Sequence, residues 1–242
     1  MGEINYSSQW YTGKQFNYCE QGPARHHHRK RIEYVLKTIR SFDVTNPKIL
    51  DAGCGDGVMT RYLTSIRGAK ITGLDYNELR LKRARKLLPA VRFVKGDLLK
   101  MPFKTNSFDV VFLHHVLEHI KEDEKVLREI RRILRSGGYL LLGVPHEGGV
   151  IGRLRNNYVQ PQIMKSTDHV QFYTPESLAA KIRSIKGFEL ERIEWIGGVL
   201  IPHYKLHMLF VQFKFFEDLF HDFAQKVPAF AGSLYFIVRK KQ

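Results

Sequence analysis

Cysteine is nearly absent from this chain: Cys19 and Cys54 are the only two in 242 residues, and no CxxC pair occurs. That scarcity argues against a disulfide framework or a cysteine zinc site, and for a reducing compartment, so a cytoplasmic location is expected. No run approaches the roughly 18 unbroken apolar residues of a membrane span. Met1–Gln21 lacks the apolar core of a signal peptide. There is no HExxH, no internal repeat and no low-complexity segment, and the pattern holds no metal-ligand motif. Acidic residues are also few, 24 against 39 basic, which leaves a net charge of +15. Nucleic acid, an anionic membrane surface or an acidic substrate would each exploit such a field. The basic residues are nonetheless scattered over several segments (25–31, 80–86, 131–135) rather than gathered in one tail, as on an ordinary solvated surface. His26–His28 are consecutive, so on a helix their side chains diverge and are expected in solvent.

What is present is alternation. KILDA (48–52), KITGLD (70–75), VRFVKGD (91–97), FDVVFL (108–113) and YLLLGVP (139–145) read as buried strands. Between them, Val58–Ile66, Asn77–Leu88 and Glu122–Leu134 carry helical periodicity. Asn77 is placed to cap the second of these, and Gly137–Gly138 to end the third. Strands alternating with helices predict an α/β fold with a doubly wound, mostly parallel sheet. Residues 24–41 form a basic helix ahead of it. After Pro145 the segment 146–172 reads as a long, potentially functional loop. Thr174 and Pro175 then open a helix to about Ile185. FELERIEWI (188–196) and SLYFIVR (233–239) are two further strands. The division expected is an N-terminal lid and basic helix (1–45), then a main domain (46–242) with a substrate loop at 146–172 and an apolar helix at 203–226.

The stretch ILDAGCGDGVMT (49–60) sets Gly53, Gly55 and Gly57 between a strand and a helix. A dinucleotide would lay its pyrophosphate on that helix N-terminus, yet Asp51 precedes the loop and Asp56 lies inside it. Two carboxylates there would repel phosphate. S-adenosylmethionine has no phosphate, and its ammonium suits Asp51. Gly53 and Gly55, with the small Cys54 between them, let the backbone approach an adenosyl group. Asp75 closes the second strand, where a carboxylate accepts from both ribose hydroxyls. Asp97 closes the third and accepts from the adenine amino group, with Tyr76 and Leu98 flanking the ring.

ILDAGCGDG, GLDYN, VKGDLLKMPF, FDVVFLHHVLEHI and LREIRRILRSGGYLLLGVP, in this order, resemble a class I S-adenosylmethionine-dependent methyltransferase, most closely of the type 11 group. The resemblance covers about residues 47–145, with SLYFIVRKK also fitting. It implies a Rossmann-like sheet of seven strands whose last strand runs antiparallel, with helical additions at both ends of the chain. It further implies that His114 lies beside the methionine end of the cofactor, and that S-adenosylhomocysteine is the product.

Methyl transfer from a sulfonium is an in-line displacement that rests mainly on alignment, and a base is needed only for an acceptor with a high pKa. His115 and His146 are the candidates for base or acceptor orientation; His119 reads as a structural histidine of the EHI turn. LHHV (113–116) stands where amino-methylating adenine and glutamine enzymes carry an NPPY-type tetrapeptide, and no RNA-binding appendage is visible. A small-molecule or lipid-like acceptor is therefore expected. An RNA methyltransferase and a non-catalytic regulator that binds S-adenosylmethionine are the alternatives. Tyr6, Trp10, Tyr11 and Tyr18 suggest a lid in Met1–Gln21. In His203–Phe223 one helix is expected, with Leu206, Leu209, Phe210, Phe213, Phe216, Phe220 and Phe223 packed on the sheet. Met208, Val211, Phe215 and Leu219 would form a second strip for an acceptor, a dimer or peripheral contact with a membrane.

Overall fold

A computed structural model of the chain describes residues 19–159, 168–201 and 203–241. Seven strands form one sheet: β1 (Lys48–Ala52), β2 (Lys70–Asp75), β3 (Arg92–Lys95), β4 (Phe108–His114), β5 (Leu134–Pro145), β6 (Phe188–Gly198) and β7 (Ala231–Lys240). Their order is β3-β2-β1-β4-β5-β7-β6. The first five run parallel, and β7 inserts antiparallel to both β5 and β6. This is the expected Rossmann-like sheet, and its order reverses between β1 and β4. In open α/β sheets ligands bind outside the carboxyl ends of the strands at such a reversal.

The near-continuous apolar composition of the strands follows from burial on both faces. Leu50, Leu113, Leu140 and Leu142 turn to one face, under α4 (Asp123–Ile133) and α6 (Pro175–Ser184), through Leu127, Ile130 and Ile182. Ile49, Phe112, Leu141 and Tyr235 turn to the other, under Val35 and Ile39 of α1 (Arg25–Arg40) and Leu63 of α2 (Val58–Leu63). Asn77 caps α3 (Glu78–Leu87) by accepting from the Leu79 and Arg80 amides at 3.0 and 3.2 Å. Thr174 and Ser177 form a reciprocal capping box on α6.

Five expectations are corrected. Gly137–Gly138 do not end α4. Its last residue is Ile133, because Leu134 already pairs with Phe108, and the two glycines sit in the irregularity between that pair and Val110–Tyr139. β3 stops at Lys95, leaving Asp97 in an isolated bridge with Lys100. The segment after Pro145 is not all loop: α5 (Val150–Leu154) runs into a π-helical turn at Arg155–Val159. Gly148 precedes the helix N-cap, Gly149, and bonds through its amide to the Tyr173 carbonyl at 3.0 Å, so closely that a Cβ would lie 2.6 Å from that backbone.

The expected single helix at 203–226 is two, α7 (Tyr204–Val211) and α8 (Lys214–Lys226). Arg25 donates to the Gln212 carbonyl at 2.8 Å, and Phe213 is extended with φ −97° and ψ 126°. The break changes which residues are covered. Val211, His207, Glu217 and Phe220 are buried, whereas Leu206, Leu209, Phe213 and Phe223 of the expected inner face are exposed. Lastly, His27 and His28 are not in solvent: His27 Nδ1 lies 3.0 Å from buried Glu217, and His28 is buried. Tyr6, Trp10, Tyr11 and Tyr18 of the suggested lid lie outside the described residues.

Candidate active site

The end of β1, the end of β4 and the turns that follow them form the site. Gly53 and Cys54 donate backbone N–H to the Leu74 carbonyl at 2.7 and 3.0 Å, which ties the glycine loop to the end of β2. Gly53 has φ +76°, and a Cβ there would lie 2.5 Å from Val116 Cγ2 in the turn after β4. Only glycine permits both the conformation and the approach.

Asp75, 4% exposed, organises the junction. One carboxylate oxygen accepts from the Gly55 amide at 2.9 Å and the other from the Asn77 amide at 2.9 Å. Each oxygen has a further lone pair, so two hydroxyls can be accepted in addition. The Gly96 amide bonds the Asp75 carbonyl at 3.0 Å, which brings the β3 turn alongside. Within that turn Leu98 is buried, and Asp97 is exposed and accepts from the Leu99 amide at 2.9 Å. Tyr76 is 40% exposed.

Asp51 is almost fully enclosed and accepts from the Thr60 hydroxyl at 2.5 Å. Burial pushes its carboxyl up to about 7 against the pull of that hydroxyl. Asp56 behaves differently: it pairs with Arg80 and Arg83, each at 3.5 Å. Its charge is thus met locally, and the electrostatic case against a bound phosphate rests on Asp51. Burial raises the Cys54 thiol well above its usual range, which suits a small packing residue and not a nucleophile.

His114 lies one register step beyond the Ala52–Leu113 pair, beside the loop. Its ring stacks on Phe112 and Tyr235, with centroids 5.6 and 5.7 Å away. His115 adopts φ +52°, a strained backbone for a residue with a Cβ. Its Nε2 lies 3.3 Å from the Ser233 hydroxyl. Burial holds both rings well below the usual histidine range, so both are neutral at pH 7. His146 bonds through its amide to the Gly232 carbonyl at 3.1 Å. Its ring lines a cleft with Glu147, Arg155, Val199 and Phe230. No glycine-loop residue lines that cleft; His115 reaches Ser233 and His146 reaches Gly232, neighbouring residues of β7.

Composition and spacing gave no prominence to a second cluster beside His115. Glu118, 1% exposed, has neither carboxylate oxygen hydrogen-bonded. His119 and His169 close on it, the three side chains offering ligand atoms within 4.8 Å of one another. Glu118 and His169 stand 51 residues apart, a separation that no short motif reveals. The only local signal was His169 in the irregular stretch after β5.

Comparison with known proteins agrees with this geometry. Residues 50–142, from within β1 through the glycine loop to within β5, match a family model described as "Methyltransferase domain". Over 97 residues it is 42% identical to a sterol 24-C-methyltransferase of Gibberella zeae, covering 38% of this chain and 26% of that protein. It is 35% identical over 116 residues to a phthiotriol/phenolphthiotriol dimycocerosates methyltransferase of Mycobacterium ulcerans, covering 47% of this chain and 43% of that one. The chain thus spans between about a quarter and two-fifths of the length of these relatives. A solved structure described as a putative methyltransferase from Bacillus halodurans superposes with a TM-score of 0.65 at 20% identity. It covers 86% of this chain and 98% of its own, which shows that the fold extends well beyond the matched segment.

Proposed function

We propose that this chain is an S-adenosylmethionine-dependent methyltransferase acting on an apolar, lipid-like acceptor. The observation that carries the reading is the junction of β1 and β4, where a glycine loop, buried Asp51 and doubly bonded Asp75 meet. The residues fit the cofactor: Gly53 and Gly55 let the loop fold tightly against Val116 and Arg80, and Asp51 is a buried carboxylate, bonded by Thr60, that suits an ammonium. Asp75 has the spare acceptor capacity for a ribose diol; Tyr76, Asp97 and Leu98 would flank an adenine; His114 would adjoin the methionine end. When bound, the cofactor supplies an electrophilic methyl group on its sulfonium. The chain's own task is to place the acceptor and exclude water. His115, neutral and held near Ser233, orients the acceptor rather than serving as a strong base, and His146 faces it from the adjoining cleft.

The lipid-like character of the acceptor is supported by the matched relatives, which are named for sterol and phthiotriol dimycocerosate methylation. It is also supported by the apolar surface of α7 and α8, where Leu206, Leu209, Phe213, Phe215, Leu219 and Phe223 are all exposed. Lys205, Lys214 and Lys226 stand among them. With the +15 charge, that surface suits peripheral contact with an anionic membrane. Among the described residues no helix is long and apolar enough to cross one. Both cysteines are free, in keeping with a cytoplasmic location.

Incubation with methyl-tritiated S-adenosylmethionine and a cell extract, fractionated into RNA, protein and lipid, tests the reading. Label is expected in the lipid fraction. Label in RNA would overturn the acceptor class, and no transfer to any pool would overturn the enzyme.

Asp51 adds a pH prediction. Its folded value of about 7 lies above the ordinary 3.8. The unliganded fold therefore takes up a proton between those values and loses stability as pH rises through them. An ammonium favours the ionised form, so affinity for S-adenosylhomocysteine runs the other way. It should rise by up to about tenfold per pH unit on approaching pH 7 from below, then level off. Calorimetry across that range should show the slope in the parent and its loss in Asp51→Asn. A flat parent profile would remove Asp51 from ammonium binding.

A further inference from the structure

We infer that Glu118, His119 and His169 form a binding site for a divalent transition-metal cation such as zinc, next to the methyl-transfer site. Their ligand atoms lie within 4.8 Å of one another. Glu118 is 1% exposed and both its carboxylate oxygens lack a hydrogen-bond partner. A carboxylate so enclosed calls for a positive partner. His115 Nδ1 at 3.8 Å and His169 Nε2 at 4.0 Å from Oε1 both stand beyond hydrogen-bond range. A metal at the usual distances of about 2.0–2.2 Å would set its ligand atoms roughly 3.3–3.5 Å apart, so small side-chain rotations close the site.

The surroundings are those that metal-bound histidines require. His169 Nδ1 lies 2.6 Å from Glu147 Oε2, and Glu147 in turn accepts from Arg155 at 2.7 Å. His119 Nδ1 lies 3.3 Å from the Asp168 carbonyl. A carboxylate and a carbonyl can only accept, so in both rings Nδ1 carries the proton and donates. In the neutral ring, the form that binds metal, this leaves the other nitrogen with its lone pair, the arrangement in which a second partner fixes the tautomer and orients the ligand. The two halves are also fastened by backbone: Val170 and Gln171 donate N–H to the Glu118 carbonyl at 2.9 and 3.0 Å. Two imidazoles and one carboxylate make a three-ligand set that leaves coordination positions open. His115 Nδ1 lies 3.8 Å from Glu118 Oε1, so the cluster adjoins the residue assigned to the acceptor. An acceptor oxygen is the group such a position would take. The cation site itself does not depend on the methyltransferase reading.

The test uses the full chain, stripped with a chelator and titrated with Zn²⁺ and with Co²⁺. One equivalent of zinc should remain bound through gel filtration, and Co²⁺ should give visible d–d absorption from a site of low symmetry. His169→Ala should weaken zinc binding by about 100-fold or more, and Glu147→Gln by about 10–100-fold, as loss of an orienting partner does. Glu118→Gln keeps the shape of the side chain and removes the charge, and serves if Glu118→Ala does not fold. Unchanged binding of S-adenosylhomocysteine and an unchanged circular dichroism spectrum would show that the variants are folded. Failure of the folded parent to take up zinc stoichiometrically would overturn the site. So would uptake that His169→Ala and Glu118→Gln leave unchanged. Either failure leaves binding of S-adenosylhomocysteine, and with it the proposed function, standing.

Discussion

Asp75→Ala should lower affinity for S-adenosylhomocysteine by about 100-fold or more, the equivalent of roughly 3 kcal/mol. Two effects add at this side chain. The carboxylate is the acceptor assigned to the ribose hydroxyls, and hydrogen bonds to a charged group contribute about 1.5–3 kcal/mol each. The same oxygens hold the Gly55 and Asn77 amides, so alanine also loosens the loop on which the adenosyl group lies. The buried Gly55 N–H left without its acceptor should cost the fold about 1–3 kcal/mol. The variant should therefore remain folded with a lowered melting temperature. Asp75→Asn keeps a carbonyl acceptor and should fall between the two. Calorimetry and a thermal melt on the same samples separate binding from stability. A folded Asp75→Ala protein with parental affinity would refute the cofactor assignment, and binding of NAD in its place would point to a dinucleotide.

The parts of the molecule legible in the sequence were those governed by local rules. β1, β2 and β4 are short apolar runs closed by Gly53, Asp75 and His114, and each appears at or within one residue of its expected bounds. Asn77 and Thr174 cap helices because their side chains reach amides two or three residues on, a purely local geometry. The glycine loop was legible for the same reason. What the sequence concealed was decided by distant partners. α4 ends early because Leu134 is recruited by Phe108 in another strand. The apolar stretch after residue 203 breaks in two where Arg25, 187 positions away, takes the Gln212 carbonyl. His27 is drawn inward by Glu217, 190 residues on, against the expectation that consecutive histidines lie in solvent. Asp56 read as a charge facing the ligand, and Arg80 and Arg83 claim it instead. The cluster of Glu118, His119 and His169 belongs to this second kind.

Phe215→Ser combined with Leu219→Ser should raise the KM for the labelled lipid acceptor by about 10–100-fold while leaving the fold nearly unchanged. The two side chains are 70% and 51% exposed, so their loss removes little buried area within the chain. The Phe215 ring does touch Phe216, edge-on with centroids 5.3 Å apart. Phe216 keeps its own edge contact with Phe210 at 5.0 Å, so the cluster beneath should survive the change. Against an apolar acceptor the same two side chains have most of their surface to offer. Burying a Phe or Leu side chain contributes about 1.5–3 kcal/mol, and half of that from each gives the stated range. The glycine loop, Asp75 and His115 are untouched. kcat at saturating acceptor should therefore stay near the parental value, the signature of lost uniform binding. Lipid-binding and turnover assays should be paired with sedimentation of parent and variant. A shift from dimer to monomer with unchanged KM would assign the surface to self-association. Equal KM and equal sedimentation would remove Phe215 and Leu219 from the acceptor site.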